Sequence, residues 1–329
     1  MMVDQPVAGC PKRMVMGPCG GVRNDGSCEV ALSEPCVFDG SAVWPDPRPG
    51  VELATVPLVL TDFTSQPFSV PSLVEVAGIV RESCDAVLVG EHQGRPDFSP
   101  ALHATLLKDQ GLEPWMTLTC RDRNRVVLEQ ELVSLRHVGV GAVLCVTGDG
   151  RSRGVRPDVT SVFDLDGPRL TAVARDLGLC AAVPESPASP PVGRRAHRLV
   201  QKQRAGAAVA VLNYTRPSDV ATCMQQAKAA GLTIPVIAGV AVYTDLRSAA
   251  GLDALPGLHV DHATVDQVVS AADPIEAGIQ RAVAEARALL GIDGVVGVNL
   301  SGLASDRGFG FAAGVKADIA RRIRAEQRT

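Results

Sequence analysis

In Trp115-Met-Thr-Leu-Thr-Cys-Arg-Asp-Arg-Asn-Arg125 an apolar run turns abruptly into charge. Trp115 to Thr119 has the length and composition of a buried strand, and Arg121 to Arg125 that of the loop at its C-terminal end. Three arginines at one strand end suit an anion, because a guanidinium pairs with phosphate or carboxylate through two parallel hydrogen bonds. The same loop could equally cap the helix that follows, with Arg121 and Arg123 paired to Asp122, Asp164 or Asp166.

Outward from this stretch the pattern repeats. Short apolar runs at 57–61, 86–90, 115–119, 142–146, 179–183, 207–212, 235–240 and 295–300 read as strands. Segments of helical period lie between them, near 70–82, 98–110, 124–138, 166–177, 192–205, 217–230 and 243–250. A longer helical pair spans about 263–290 and a last helix about 312–327. Continuously apolar strands imply burial on both faces, hence a parallel sheet. Eight such repeats predict a closed (β/α)8 TIM barrel over 56–329, with an open doubly wound sheet as the alternative. In a barrel the working residues sit at the strand C-termini. Those positions carry Asp62, Glu91-His92, Arg121 to Arg125, Thr147-Gly-Asp149, Pro184-Glu185, Asn213-Tyr-Thr215, Tyr243 and Asn299-Leu-Ser301. Acids, amides and arginines thus converge on one rim. The long connection from Gly148 to Phe163 falls on the same face, where long loops are commonly functional. Gly308 to Gly314, after the last strand, has the place of a barrel phosphate seat.

Residues 1–45 are different. Cys10, Cys19, Cys28 and Cys36 are separated by eight, eight and seven residues, among glycines and with little apolar periodicity. A segment of this kind cannot build a core from its own side chains. Four thiolates around zinc or an iron–sulfur cluster would organise it. The spacing lacks the short Cys-x-x-Cys knuckle, and a disordered tail is the rival reading. Residues 46–55, rich in proline, read as a linker. The other five of the nine cysteines lie in or beside apolar runs and are expected in the core. His259 and His262 have no third ligand nearby, which argues against a metal there.

Over 329 residues, 46% hydrophobic, the chain can bury a large core. A net charge of −4 gives no reason to expect nucleic acid. No run is long enough for a membrane span and no signal peptide is visible, so a cytoplasmic protein with reduced thiols is expected. A homo-oligomer is compatible with all of this.

Several pieces resemble the methylenetetrahydrofolate reductase family. They are Leu118-Thr-Cys-Arg-Asp-Arg-Asn-Arg125, Thr147-Gly-Asp149, Val162-Phe-Asp-Leu-Asp166, Ala181-Ala-Val-Pro-Glu185, Lys202-Gln-Arg-Ala-Gly-Ala207 and Ile234-Pro-Val-Ile-Ala-Gly239, in the family's order. The N-terminal Cys10-Pro-Lys-Arg-Met-Val-Met-Gly-Pro-Cys-Gly-Gly21 and Gly26-Ser-Cys-Glu-Val30 resemble a cysteine-rich module fused to, or partnered with, such reductases. The resemblance implies a barrel that binds FAD and passes hydride from NAD(P)H to 5,10-methylenetetrahydrofolate. It implies that Asp62, where the family has glutamate, protonates the pterin, with Asp149 beside it. Asn213, in place of a glutamine, would contact the pterin, and Glu91, His92 and Asn299 would face substrate. Thr119, Arg121, Arg123, Gly148, Ala182 and Lys202 would lie at the cofactor. Val183 replaces an aromatic beside the flavin, and Arg195, Arg198 and Gln201 change the polar pattern before Lys202. Transfer directly from the nucleotide therefore stands beside transfer through FAD. The other functional reading is an accessory barrel that binds folate or docks a partner reductase through the cysteine module.

Overall fold

The computed structural model describes residues 5–38, 44–92, 94–150, 156–253, 260–303 and 305–326. Eight parallel strands close into a barrel in sequence order. They are β1 (Val59–Phe63), β2 (Ala86–Val89), β3 (Pro114–Thr119), β4 (Ala142–Val146), β5 (Ala181–Glu185), β6 (Val209–Leu212), β7 (Val236–Val242) and β8 (Val295–Gly302). β8 returns to β1, with Leu60 beside Asn299. The closed barrel is the predicted fold; the open sheet is excluded.

Strand phase explains how apolar runs fill both faces. Leu60, Ala86, Leu88, Trp115, Ala142, Leu144, Ala182, Val209, Val211 and Ile237 form the cluster inside the barrel. The intervening residues, such as Val87, Val143, Ala210 and Ala238, join the larger cluster beneath the helices. Side chains alternate along a strand, so inward residues continue inward every second position. From Leu60 that phase reaches Asp62; from Val211 it reaches Asn213. From Val183 the outward phase reaches Glu185, which therefore faces the helix layer.

The helices are α1 (Val70–Val80), α2 (Pro100–Asp109), α3 (Arg125–Val138), α4 (Gly167–Asp176), α5 (Arg195–Arg204), α6 (Pro217–Ala229), α7 (Leu246–Asp253), α8 (His262–Val269), α9 (Pro274–Leu290) and α10 (Phe309–Glu326). Their starts are chemically marked. Ser69, Ser99, Asn124, Asp166, Asp261 and Asp273 each accept a hydrogen bond from the first turn. Several strand boundaries move by one or two residues from their sequence expectation, the starts of β1 and β5 among them. β1 begins at Val59 and not at Pro57, which has no N–H to donate. β5 begins at Ala181 because the Leu179 N–H is used on Ala174 O at the end of α4. Cys84, Cys120, Cys145, Cys180 and Cys223 are buried, as expected. His259 and residues 151–155 of the long connection lie outside the described residues. Among the described residues no helix is long and apolar enough to cross a membrane.

Among the described N-terminal residues the only β-pairings are isolated bridges, Val22 with Cys28 and Ser27 with Pro35. They are seated on the barrel all the same. Val15 N donates to Asp166 Oδ2 at 2.9 Å, and Gln201 Nε2 to Met16 O at 2.9 Å. Met14, Val15 and Met16 are each 1% exposed, so this strap is packed as tightly as the core.

Candidate functional site

A cavity of about 650 Å³ opens at the C-terminal ends of the strands. That is ample for a small-molecule ligand, for which about 300–1,000 Å³ is usual. Asp62, His92, Asn213, Asn299, Ser301 and Lys316 are among its lining residues. Asp62, Asn213, Asn299 and Ser301 all reach it because they continue the inward phase of β1, β6 and β8. Asn299 Nδ2 donates to Asp62 Oδ1 and to Ser301 Oγ, both at 2.8 Å. Asn299 Oδ1 is buried and has no hydrogen-bond partner among the described residues. An amide oxygen without a donor beside a carboxyl group is suited to accept once that carboxyl gains a proton and the amide turns over. Lys316 Nζ donates to Asp62 O at 2.9 Å. Burial pushes the Lys316 ammonium down, against the opposing attraction of Asp62. On β6, Asn213 Nδ2 donates to Ser186 Oγ at 2.6 Å, which fixes its amide plane at the rim.

Sequence reasoning missed Lys316. The signal was there: on α10 it lies three or four residues from Ala312, Ala313, Ile319 and Ala320, so a cation sits on an apolar stripe. Helix α10 follows the last strand and reads as packing, yet this residue points through it to Asp62. The Gly308 segment forms part of the cavity lip with Ser305 and Phe309.

The other expected site residues lie elsewhere. Glu91 accepts from Thr119 N at 2.7 Å and binds Arg123 through both oxygens, at 3.0 and 2.5 Å. It is a strut between β2 and β3. Arg121 is 2% exposed, donating to Asp122 at 3.0 Å and to His92 O at 3.3 Å. Asn124 Oδ1 caps α3 through Val127 N at 3.1 Å. Arg125 reaches Glu129 at 2.7 Å. The arginine loop thus serves the helix cap and ion pairs that the sequence also allowed. Ala182 is fully buried inside the barrel, below the cavity.

Gly148, Asp149 and Lys202 gather at a second place on the rim, over β4 and β5, together with the strap. Lys12 Nζ donates to Gly148 O at 2.7 Å and pairs with Glu29, whose other oxygen accepts from Gly150 N at 3.2 Å. Burial opposes the Lys12 charge, but Cys19, Glu29 and Asp149 outweigh it and raise its pKa. Gly148 has φ +91°, and a Cβ there would stand 3.0 Å from Arg121 Cβ, so glycine is needed for the backbone alone. A Cβ on Gly21 would collide with the Glu29 carboxylate. Below them Glu185 accepts from Lys202 at 2.9 Å and from Arg195 at 3.3 Å. Although burial acts the other way, Lys202, Arg195 and Arg198 hold Glu185 below the usual carboxylate range. The space left between strap and rim is about 100 Å³. A flavin dinucleotide does not fit in a gap of that size, and Lys12 and Lys202 beside it are already paired with Glu29 and Glu185.

Cys10, Cys19, Cys28 and Cys36 line one cavity of about 360 Å³. Among the described residues, however, no three of His, Cys, Asp and Glu stand close enough together to hold a metal ion.

Comparison with known proteins fits this geometry. Residues 85–301 match the family model described as methylenetetrahydrofolate reductase. The chain belongs to the methylenetetrahydrofolate reductase family. Residues 4–43, which precede the barrel, match a second model, described as methylene-tetrahydrofolate reductase C terminal. No curated protein matches significantly. Among solved structures, an uncharacterized protein from Clostridium thermocellum that binds two copies of 5-methyl-5,6,7,8-tetrahydrofolic acid is similar at TM-score 0.57 and 13% identity. The match covers 82% of this chain and 95% of that one. At that identity it shows the shared fold. Tryptophan synthase from M. tuberculosis aligns at TM-score 0.47 and 14% identity, over 82% of this chain and 93% of that one.

Proposed function

We propose that this family member reduces 5,10-methylenetetrahydrofolate, or a close pterin relative, to the 5-methyl form, with a nicotinamide nucleotide supplying hydride. The observation that carries the reading is the polar set Asp62–Asn299–Ser301–Lys316 facing Asn213 in one folate-sized cavity. Asp62 stands where the family's acid is expected, and its Oδ1 is already oriented by Asn299. Protonation of the bridging pterin nitrogen by Asp62 would open the ring to an iminium carbon able to accept hydride. Asn299 Oδ1, buried without a donor, would accept from the protonated carboxyl before that transfer. Asn213, held by Ser186, would bind the pterin edge. Apolar walls from Leu88, Leu144 and Val211 exclude water below the ring.

The test is oxidation of NADH or NADPH that depends on methylenetetrahydrofolate, with 5-methyltetrahydrofolate identified as product. Asp62→Asn should slow it by about 10²–10⁴-fold, the usual weight of a general acid, with folate affinity nearly unchanged. Full activity in that variant would remove Asp62 from the chemistry. A thiolate-held metal in the module belongs to this reading only on the shared hollow of the four thiols. Elemental analysis of the purified chain checks it, with zinc or iron near one equivalent or more as the supporting result.

A further inference from the structure

We infer that the N-terminal strap closes the β4–β5 rim to a flavin dinucleotide, so that nicotinamide and folate must meet directly in the central cavity. The inference rests on the reductase reading above for its chemistry, and on geometry for the closure.

The strap runs from Lys12 to Cys19 across the rim. Its backbone is fastened along its length: Arg13 O accepts from Arg169 at 2.9 Å, and Val15 N donates to Asp166. Met16 O accepts from Gln201, and Cys19 O accepts from Arg195 at 3.0 Å. The anchors come from α4 and α5, so the strap bridges two successive βα units. A dinucleotide reaching out of the central cavity over Gly148 and Lys202 would have to displace it. The remaining gap of about 100 Å³ is well below the smallest usual ligand pocket of about 300 Å³. Lys12 is paired with Glu29, Lys202 and Arg195 share Glu185, and Arg198 Nη1 donates to Gln201 Oε1 at 2.7 Å.

The central cavity has room where the rim does not. At about 650 Å³ it can take a pterin with a nicotinamide ring lying against it. The step then balances without a carrier. The C4–H bond of the dihydronicotinamide breaks, and hydrogen leaves with both electrons for the exocyclic methylene carbon of the ring-opened folate. The nucleotide ends as the oxidised pyridinium. The proton given by Asp62 stays on the opened nitrogen and is replaced from solvent. Methylene folate, reduced nucleotide and one proton become methyl folate and oxidised nucleotide.

The full-length chain is to be examined in two ways. First, FAD is titrated into it and followed by flavin fluorescence, with amide exchange at Val15 and Met16 recorded with and without FAD. No flavin in the purified protein, no saturable quenching and unchanged protection are expected. Stoichiometric flavin, or loss of protection at the strap on adding it, would overturn the closure. Second, nucleotide deuterated at the transferred C4 position is used in ordinary water. Direct transfer leaves one deuterium in each product methyl group. Passage through a flavin exposes the label to solvent exchange at N5–H, so a methyl group depleted of deuterium would overturn direct transfer. If no methyl folate forms with either nucleotide, the reductase reading fails, while the FAD titration still decides whether the rim is closed.

Discussion

Lys316 shows what a single residue adds to this site. It is 3% exposed, on an apolar helix face, and its ammonium ends on the carbonyl of Asp62. Lys316→Met keeps length and packing but removes the donor. We expect the protein to fold, with kcat reduced by about tenfold and KM for folate little changed, a loss near 1.4 kcal/mol in the transition state. A merely structural lysine would lower thermal stability without moving kcat, and steady-state kinetics beside a melting curve separates the two. The pH dependence of stability has a definite sign. Lys316 has a folded pKa below 10.5, so the unfolded chain binds more protons just under that value and stability rises with pH there. Lys316→Met should flatten that rise in alkaline unfolding curves. At this scale Asp62, Asn213 and Asn299 were legible because strand period and strand end both point them inward. Lys316 was legible only as a cation on an apolar helix stripe, since nothing local tells a helix residue which strand it meets. Glu91 and Arg123 were visible as rim residues, but their mutual bonding depends on the distance between two loops, which spacing does not encode.

Elements were easier to read than residues. Eight continuously apolar runs between helical segments made the barrel visible, while the serine, asparagine and aspartate caps at six helix starts emerged with the structure. Two of the starts that moved did so where a backbone N–H was missing, at Pro57, or used elsewhere, at Leu179. Leu60 lies wholly buried in the barrel, two residues below Asp62. Leu60→Ala should cost about 2–5 kcal/mol in denaturant unfolding, the range for an unfilled core cavity. A second prediction concerns the clasp between α9 and α10. Glu276 binds Arg322 through both oxygens, at 2.7 and 2.9 Å, and the guanidinium holds its carboxyl at about 2 against an ordinary 4.5. A depressed carboxylate contributes stability that is complete above pH 4.5 and is lost as pH falls towards 2. Glu276→Gln should therefore remove part of the acid-induced fall in melting temperature. The effect should be small, because the pair is on the surface. Equal acid slopes in the two proteins would show that the clasp does not contribute.

For the whole molecule, the docking of the module could not have been read from its cysteines. Its fastenings are backbone groups bonded to Asp166, Arg169, Arg195 and Gln201, more than a hundred residues away in the chain. Side chains add Lys12 and Glu29, which become legible once Gly148 is beside them, and Arg13, which donates to Asp164 Oδ1 at 3.3 Å. Glu29→Gln would leave Lys12, 3% exposed, without its counter-charge. Breaking a buried pair in this way typically costs about 3–5 kcal/mol, so amide exchange at Val15 should speed up while exchange in β1 to β8 stays slow. Uniform acceleration across both would mean that module and barrel unfold as one.

The strap also sets an order of events at the ribosome. Cys36 is made long before Arg195 and Gln201, and at about 5–20 residues per second the interval is roughly ten to thirty seconds. Until α5 emerges, four thiols travel on a nascent segment with nowhere to dock. Chains arrested before residue 195 should take up a thiol-alkylating reagent at Cys19, and chains arrested well beyond 204 should resist it. Equal labelling of both would mean that the segment protects itself before its seat exists.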